Sequence, residues 1–178
     1  MTADELKALV RTVPDFPREG IQFRDVTTLI ADPAGLASAV GRLATTAEGA
    51  SPDLVAGIEA RGFIFGAAVA ARLGCGFLPI RKAGKLPVAT ISEPYALEYG
   101  EDRLELDPSL LDDGQRVVLI DDLIATGGTA LAAISLLRRA GANVVAALFA
   151  IDLPDLGGMP KLRAEGIETA ALMEFAGD

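Results

Sequence analysis

Two adjacent carboxylates followed by a glycine-rich turn are the residues of this chain best suited to chemistry. Asp121 and Asp122 come directly after an apolar segment at 116–120. The turn after them is made of Ala125, Thr126, Gly127, Gly128 and Thr129. Glycines let the backbone approach an anion closely, and a turn into a helix directs several backbone N–H groups at one point. Carboxylates only accept hydrogen bonds and repel anions, so they suit a vicinal diol. The stretch predicts a site for a phosphorylated sugar.

The segments around this motif are predicted to be a strand, a turn and a helix. Residues 116–120 are short, apolar and β-branched, which is typical of a buried strand in a parallel sheet. Apolar residues then recur at helical spacing before Gly141, where the helix is predicted to end because glycine commonly follows the last residue of a helix. We expect Thr129 to be the N-terminal cap of that helix.

The net charge of the chain limits the classes of partner that it can bind. A net charge of −9 argues against nucleic acid or an anionic membrane. A polyanionic substrate must then meet a local basic cluster, for which the candidates are Arg81, Lys82 and Lys85, with Arg61 at the end of another predicted strand. A solvated strand edge is the alternative interpretation of the adjacent Arg-Lys pair.

Composition excludes several kinds of catalysis. The 178 residues include no histidine, which removes Ser-His-Asp and Cys-His mechanisms and the commonest transition-metal ligand. The single Cys75 excludes an internal disulfide. The length predicts one domain, residues 1–178. No apolar run approaches the roughly 20 residues that span a bilayer, and the early Asp4 and Glu5 do not fit a signal peptide, so a cytoplasmic location is expected.

Strand and helix patterns alternate along the chain. Helices are predicted at 2–10, 33–46, 62–73, 129–140 and 160–165, and strands at 54–58, 77–81, 117–121, 143–151 and 168–173. This order indicates the α/β class, with a parallel central sheet flanked by helices and ligands at the carboxyl ends of strands. Residues 13–30 and 83–107 do not fit the alternation, and the second segment is predicted to act as a lid.

Motifs along essentially the whole chain resemble a known family. Residues 121–129 resemble the phosphoribosyl-diphosphate signature of the type I phosphoribosyltransferases, in which the acidic pair holds the ribose hydroxyls and the loop wraps the 5′-phosphate. Residues 16–25, 59–63, 81–87 and 97–100 resemble, in order and spacing, the adenine phosphoribosyltransferases of that family. The resemblance implies the type I phosphoribosyltransferase fold, with an N-terminal hood at about 1–30 and a flexible lid at about 88–103.

The resemblance also implies a reaction and a base site. Adenine and 5-phospho-α-D-ribose 1-diphosphate (phosphoribosyl diphosphate) would give AMP and diphosphate, with Mg²⁺ bound alongside the sugar substrate and no protein ligand assigned to it. Phe23 would stack on adenine, and Leu153 would close the other face. Backbone groups of Gln22 and Arg24 would read the Watson–Crick edge of the base.

The remaining roles that the resemblance implies concern the diphosphate and the lid. Arg61 would lie in the diphosphate loop, next to a non-proline cis peptide expected between Ala60 and Arg61. Arg81 would reach the diphosphate of the neighbouring subunit in a homodimer. On the lid, Glu98 is the candidate general acid/base, with Tyr99 beside it.

Two alternatives stay open from the sequence. The position of Ala125 often holds Asp in 6-oxopurine enzymes and commonly Ala in adenine enzymes, so adenine is favoured over another purine. A phosphoribosyl-diphosphate-binding regulator without catalysis is the other alternative, and the intact Glu98-Tyr99 pair speaks against it. Pro94 stands where relatives usually have Ser or Thr, which bears on lid stiffness.

Overall fold

The chain is built on a seven-stranded sheet in the computed structural model, which describes residues 1–96 and 101–177. Its parallel strands are β3 (Leu54–Ile58), β4 (Gly76–Lys82), β7 (Arg116–Ile124), β8 (Asn143–Asp152) and β9 (Glu168–Glu174). At one edge, β5 (Ile91–Ala96) and β6 (Glu101–Leu106) pair antiparallel, giving the order β5-β6-β4-β3-β7-β8-β9. The predicted α/β class with a mostly parallel sheet is confirmed.

Helices cover both faces of the sheet. They are α1 (Ala3–Ala8), α2 (Thr27–Ala31), α3 (Pro33–Gly49), α4 (Gly62–Leu73), α5 (Gly128–Arg139) and α6 (Gly158–Ala164). Val118 and Ile120 of β7 share an apolar core with α3 and α4, whereas Val117 and Leu119 share the opposite core with α5 and α6. Because both faces of β7 are buried over residues 117–120, this part of its sequence is a continuous apolar run rather than an alternating one.

The N-terminal segment that did not fit the alternation contains a small hairpin. β1 (Arg11–Pro14) pairs antiparallel with β2 (Gln22–Asp25) in a separate two-stranded sheet, and α2 follows directly. The Asp25 carboxylate joins the two elements, because it accepts hydrogen bonds from the Thr27 N–H at 2.9 Å and from the Arg11 Nε at 3.1 Å. These contacts hold the hairpin against the start of α2.

The predicted lid, about residues 88–103, includes all of β5 and the first residues of β6. Leu104 and Leu106 of β6 are buried in the core, and the buried Tyr95 of β5 donates its hydroxyl hydrogen bond to Asp102 at 3.0 Å. The predicted lid residues Glu98 and Tyr99 lie outside the described residues.

Three local predictions are wrong in their details. β7 continues to Ile124 rather than ending at 121, so the acidic pair lies inside the strand. Gly127, not Thr129, is the N-terminal cap of α5, with a φ of +84°. The non-proline cis peptide joins Glu59 and Ala60, one bond earlier than expected.

Within the described residues, no helix is long and apolar enough to cross a membrane.

Candidate active site

A cavity of about 320 Å³ opens at the carboxyl ends of β3 and β7. It brings together the predicted ribose and 5′-phosphate residues and two of the four predicted diphosphate cations. Its wall consists of residues 58–61 and 121–130 together with Lys82 and Tyr95. Both segments are strand-to-helix junctions, which is where open parallel sheets bind ligands.

The loop between β7 and α5 is fixed by backbone packing. A Cβ on Gly158, at the start of α6, would lie 3.0 Å from the Gly127 nitrogen, and a Cβ on Gly127 would lie 3.1 Å from the Gly158 Cα. Both positions therefore need glycine. Lys161 of α6 also donates a hydrogen bond to the Thr126 carbonyl at 2.8 Å. The loop is thus held with the N-terminus of α5, whose first N–H groups lack helical partners, against the cavity.

Asp122 is buried and Asp121 is half-buried, and the two neighbouring carboxylates repel each other. Asp122 is 6% exposed and accepts a hydrogen bond from the Arg61 Nε at 2.5 Å. Burial and the nearby negative charge of Asp122 raise the pKa of Asp121 well above its usual value. Close packing of α4 contributes, since a Cβ on Gly62 would lie 2.6 Å from the Asp121 Oδ1. Hydrogen-bond donors or a cation would relieve this repulsion, whereas an anion would increase it.

The predicted diphosphate cations fall into two groups. Arg61 and Lys82 line the cavity, and the Lys82 Nζ lies 3.4 Å from the Asp102 Oδ2. Arg81 and Lys85 lie outside the cavity wall. The Arg81 guanidinium instead contacts the Glu59 carboxylate at 3.3 Å and the Lys85 carbonyl at 3.3 Å.

None of the predicted base residues belongs to the wall of this cavity, although Phe23 and Leu153 contact residues of that wall. The Phe23 ring lies 5.7 Å from the Arg61 guanidinium and packs edge-on against Phe16 with 5.2 Å between ring centroids. Gln22 and Arg24 flank it on β2. Leu153 follows β8, is buried, and donates its N–H to the Ile124 carbonyl at 3.0 Å.

Sequence reasoning gave no site role to two residues of this region. Tyr95 lines the cavity, and burial together with its hydrogen bond to Asp102 raises its pKa to about 12. Glu59 accepts hydrogen bonds from the Lys82 N–H and from Arg81. Its position directly after β3, level with the basic pair that ends β4, is the signal that could have revealed it.

A larger groove of about 800 Å³ lies beside α5, but two of its three cations are paired with carboxylates and the third, Lys161, is hydrogen-bonded to the Thr126 carbonyl. Arg139 contacts Glu93 at 2.5 Å and Arg138 contacts Glu165 at 3.6 Å. An anion there would have to displace these carboxylates. The smaller cavity is therefore the better candidate for a phosphorylated substrate.

Comparison with known proteins agrees with this geometry. The phosphoribosyl transferase domain model matches residues 28–162. The chain belongs to the phosphoribosyl transferase family. It is 64% identical to the adenine phosphoribosyltransferase of Novosphingobium aromaticivorans, over 99% of both chains. Within the family, the chain thus groups along its whole length with the adenine phosphoribosyltransferases, which are enzymes.

Solved structures give the same grouping. The adenine phosphoribosyltransferase of Thermoanaerobacter pseudethanolicus superposes with a TM-score of 0.93 at 45% identity, covering 98% of this chain and 100% of that one. The enzyme of Saccharomyces cerevisiae, solved with adenine and an imino-altritol bisphosphate, has a TM-score of 0.90 at 37% identity, with 96% and 97% coverage. The predicted fold family and enzyme class are confirmed.

Proposed function

We propose that this chain transfers the 5-phosphoribosyl group of phosphoribosyl diphosphate to adenine, forming AMP and diphosphate in purine salvage. The observation that most supports this function is that one cavity brings together the Asp121-Asp122 pair, the start of α5 after Gly127, and the guanidinium of Arg61. The acidic pair can accept hydrogen bonds from a diol, and the helix start can donate hydrogen bonds to a phosphate. The arginine is a cation for a diphosphate. The full-length similarity to adenine phosphoribosyltransferases supports the choice of base.

The ribose and its 5′-phosphate are bound by neighbouring parts of β7 and its loop. The ribose 2′ and 3′ hydroxyls donate to Asp121 and Asp122, which relieves the repulsion within that pair. The 5′-phosphate accepts hydrogen bonds from the N–H groups at the start of α5, where the helix dipole also favours an anion. Each such charge-assisted hydrogen bond contributes about 1.5–3 kcal/mol net.

The diphosphate leaves as the C1–O bond breaks, so its growing charge must be stabilised. Arg61 can do this while it stays paired with Asp122, because 43% of its side chain is exposed. Lys82 supplies a second cation from the cavity wall. Prearranged cations stabilise this departing negative charge without reorganisation during the reaction.

Adenine is placed between the hood and the end of β8. Because β2 pairs only with β1 in the described two-stranded sheet, its other edge leaves N–H and C=O groups free. Those groups of Gln22 and Arg24 can read the Watson–Crick edge of adenine while Phe23 stacks on one face and Leu153 covers the other. Glu98, outside the described residues, is proposed as the general acid/base at the purine.

A Mg²⁺ ion fits the donor set of this cavity only if substrate oxygens supply most of its ligands. Within the described residues, no three of His, Cys, Asp and Glu converge to hold a metal. The carboxylates of Asp121 and Asp122 remain available beside the sugar. When bound, Mg²⁺ would neutralise part of the diphosphate charge.

We further propose that the protein is a homodimer located in the cytoplasm.

Steady-state assays with phosphoribosyl diphosphate, Mg²⁺ and each of adenine, hypoxanthine, guanine and xanthine test the function. We expect turnover with adenine and release of diphosphate, with at least about a hundredfold lower kcat/KM for the 6-oxopurines, because unpaired polar groups at the base edge are costly. Glu98→Gln should lower kcat with little change in substrate affinity. Binding of phosphoribosyl diphosphate without turnover of any purine would favour the regulator instead.

A further inference from the structure

The last described residues, 174–177, form a clasp between the hood and the segment after β8. On the hood side, the Phe175 ring is 7% exposed and contacts two cations. The Lys7 Nζ and the Arg24 guanidinium each lie 4.7 Å from the ring centroid. The Arg24 Nη2 also donates a hydrogen bond to the Ala176 carbonyl at 3.1 Å. The clasp therefore binds α1 and β2 at once.

The same clasp is tied to the residues around Leu153. The Phe175 N–H donates to the Asp152 carbonyl at 3.0 Å, and the Gly177 N–H donates to the Asp155 carboxylate at 2.7 Å. Asp152 and Asp155 lie on either side of Leu153 in the chain. The clasp thus connects the two walls that the proposed function assigns to adenine.

Fixing the Arg24 side chain also fixes its neighbour on β2. The two terminal nitrogens of Arg24 donate hydrogen bonds, one to the Thr12 hydroxyl at 2.7 Å and the other to the Ala176 carbonyl. Successive side chains of a strand point to opposite faces. Arg24 held on the clasp face therefore keeps Phe23 on the face where it meets Arg61 and the cavity.

We propose that Phe175 is a positioning residue for adenine: by holding Arg24, its ring sets the orientation of β2 and of the Phe23 ring relative to Leu153. This inference rests on the proposed function. Among the hydrogen bonds and ring contacts of the described residues, none joins residues 174–177 to the β7–α5 loop. The clasp is therefore assigned to binding of the base and not of the sugar phosphate.

Kinetics of two Phe175 variants test this role. Phe175→Leu keeps an apolar side chain and removes the ring, and we expect the KM for adenine to rise about three- to tenfold, the range of a lost cation–π contact. The KM for phosphoribosyl diphosphate should stay within about twofold in the same variant. Phe175→Tyr keeps the ring and should restore most of the adenine affinity. A thermal unfolding curve for each variant separates positioning from loss of stability.

Two further variants locate the effect on β2. Arg24→Gln removes the cation that links Phe175 to β2, so Phe175→Leu should have little additional effect in that background. Lys7→Gln removes the other cation, which lies on α1, and should leave the KM for adenine nearly unchanged. If Phe175→Leu does not fold, the Arg24→Gln variant alone must show the selective rise in KM for adenine.

The outcomes distinguish this inference from the proposed function. A wild-type KM for adenine in Phe175→Leu or in Arg24→Gln overturns the positioning role while leaving the enzyme's activity intact. Equal rises in both KM values, or a lower melting temperature with unchanged KM, also overturn it. Absence of adenine turnover by the wild-type chain would instead refute the proposed function itself.

Discussion

At the scale of single residues, the pairing of Arg61 with Asp122 links two parts of the proposed substrate site. Asp122 is proposed for the ribose and Arg61 for the diphosphate, yet the two side chains contact each other at 2.5 Å. The carboxylate orients the guanidinium, and the guanidinium offsets the charge of the acidic pair. Loss of either partner should therefore affect both parts of the substrate.

We predict that Asp122→Asn weakens binding of phosphoribosyl diphosphate by about tenfold, or 1.4 kcal/mol, because an amide offers the diol fewer acceptors and does not fix Arg61. Stability should fall by less than about 1 kcal/mol, since Arg61 stays half-exposed to water. Isothermal titration calorimetry and thermal unfolding give the two values. Asp4→Asn, at an exposed acid of α1, is the control. Wild-type affinity in an Asp121→Asn/Asp122→Asn double variant would remove the pair from the ribose site.

At the scale of elements, the sequence predicted the parallel core well and the antiparallel additions poorly. The predicted bounds of β3 and α4, 54–58 and 62–73, match the structure because each has a clear apolar pattern and length. β7 was predicted too short, since its polar acidic pair reads as a strand end. The neighbouring β8 keeps pairing there, with Asp121 opposite Phe149. The antiparallel strands β1, β2, β5 and β6 are short and mix polar with apolar residues, so no continuous apolar run reveals them.

The packing of α6 on the 5′-phosphate loop supports a second prediction. Gly158→Ala should displace the loop, because the new Cβ would meet backbone atoms of Gly127 and Ala125 that cannot move aside. We expect at least a tenfold rise in KM for phosphoribosyl diphosphate and a stability loss of about 1–3 kcal/mol, as in overpacked sites. Gly49→Ala is the matched control, since a Cβ there meets nothing within 4 Å. Unchanged sugar-substrate kinetics in Gly158→Ala would show that α6 does not set the loop.

The hood gives a prediction about pH. Hydrogen bonds from Thr27 and from Arg11 lower the pKa of Asp25 to about 2, below its unfolded value of 3.8. The stabilising contribution is therefore complete above the unfolded pKa and is lost as the pH falls through the folded pKa. Asp25→Asn should reduce the free energy of unfolding by about 1–2 kcal/mol at neutral pH, a value discounted for the exposed Arg11.

Urea unfolding of the wild type and of Asp25→Asn at several pH values tests this linkage. The difference between the two proteins should be constant near neutrality and shrink between about pH 4 and pH 2. Thr27→Val, which keeps the carboxylate and removes its strongest donor, should show a smaller loss with the same pH dependence. A difference that does not depend on pH would mean that Asp25 stabilises the hood through shape rather than charge.

At the scale of the whole molecule, one chain assembles only part of the predicted site. The sequence predicted one basic cluster, but the structure divides it between the cavity wall and a separate position. Arg81 is held by Glu59, outside the wall that Lys82 helps to form. Neighbouring residues of a strand point to opposite faces, so adjacent cations cannot be assigned to one site from sequence alone. Arg81 therefore does not belong to the described cavity wall of its own chain.

The position of Arg81 leads to a prediction about assembly. If Arg81 completes the site of the neighbouring subunit, Arg81→Ala and Arg61→Ala should each lower activity, yet mixed dimers should contain one site with both arginines intact. Random mixing of equal amounts makes half of the dimers hybrid, so activity should recover to about a quarter of wild type. Tagged subunits purified in tandem verify the hybrids. Demonstrated hybrids with no more activity than the separate variants would mean that each site is built from one chain.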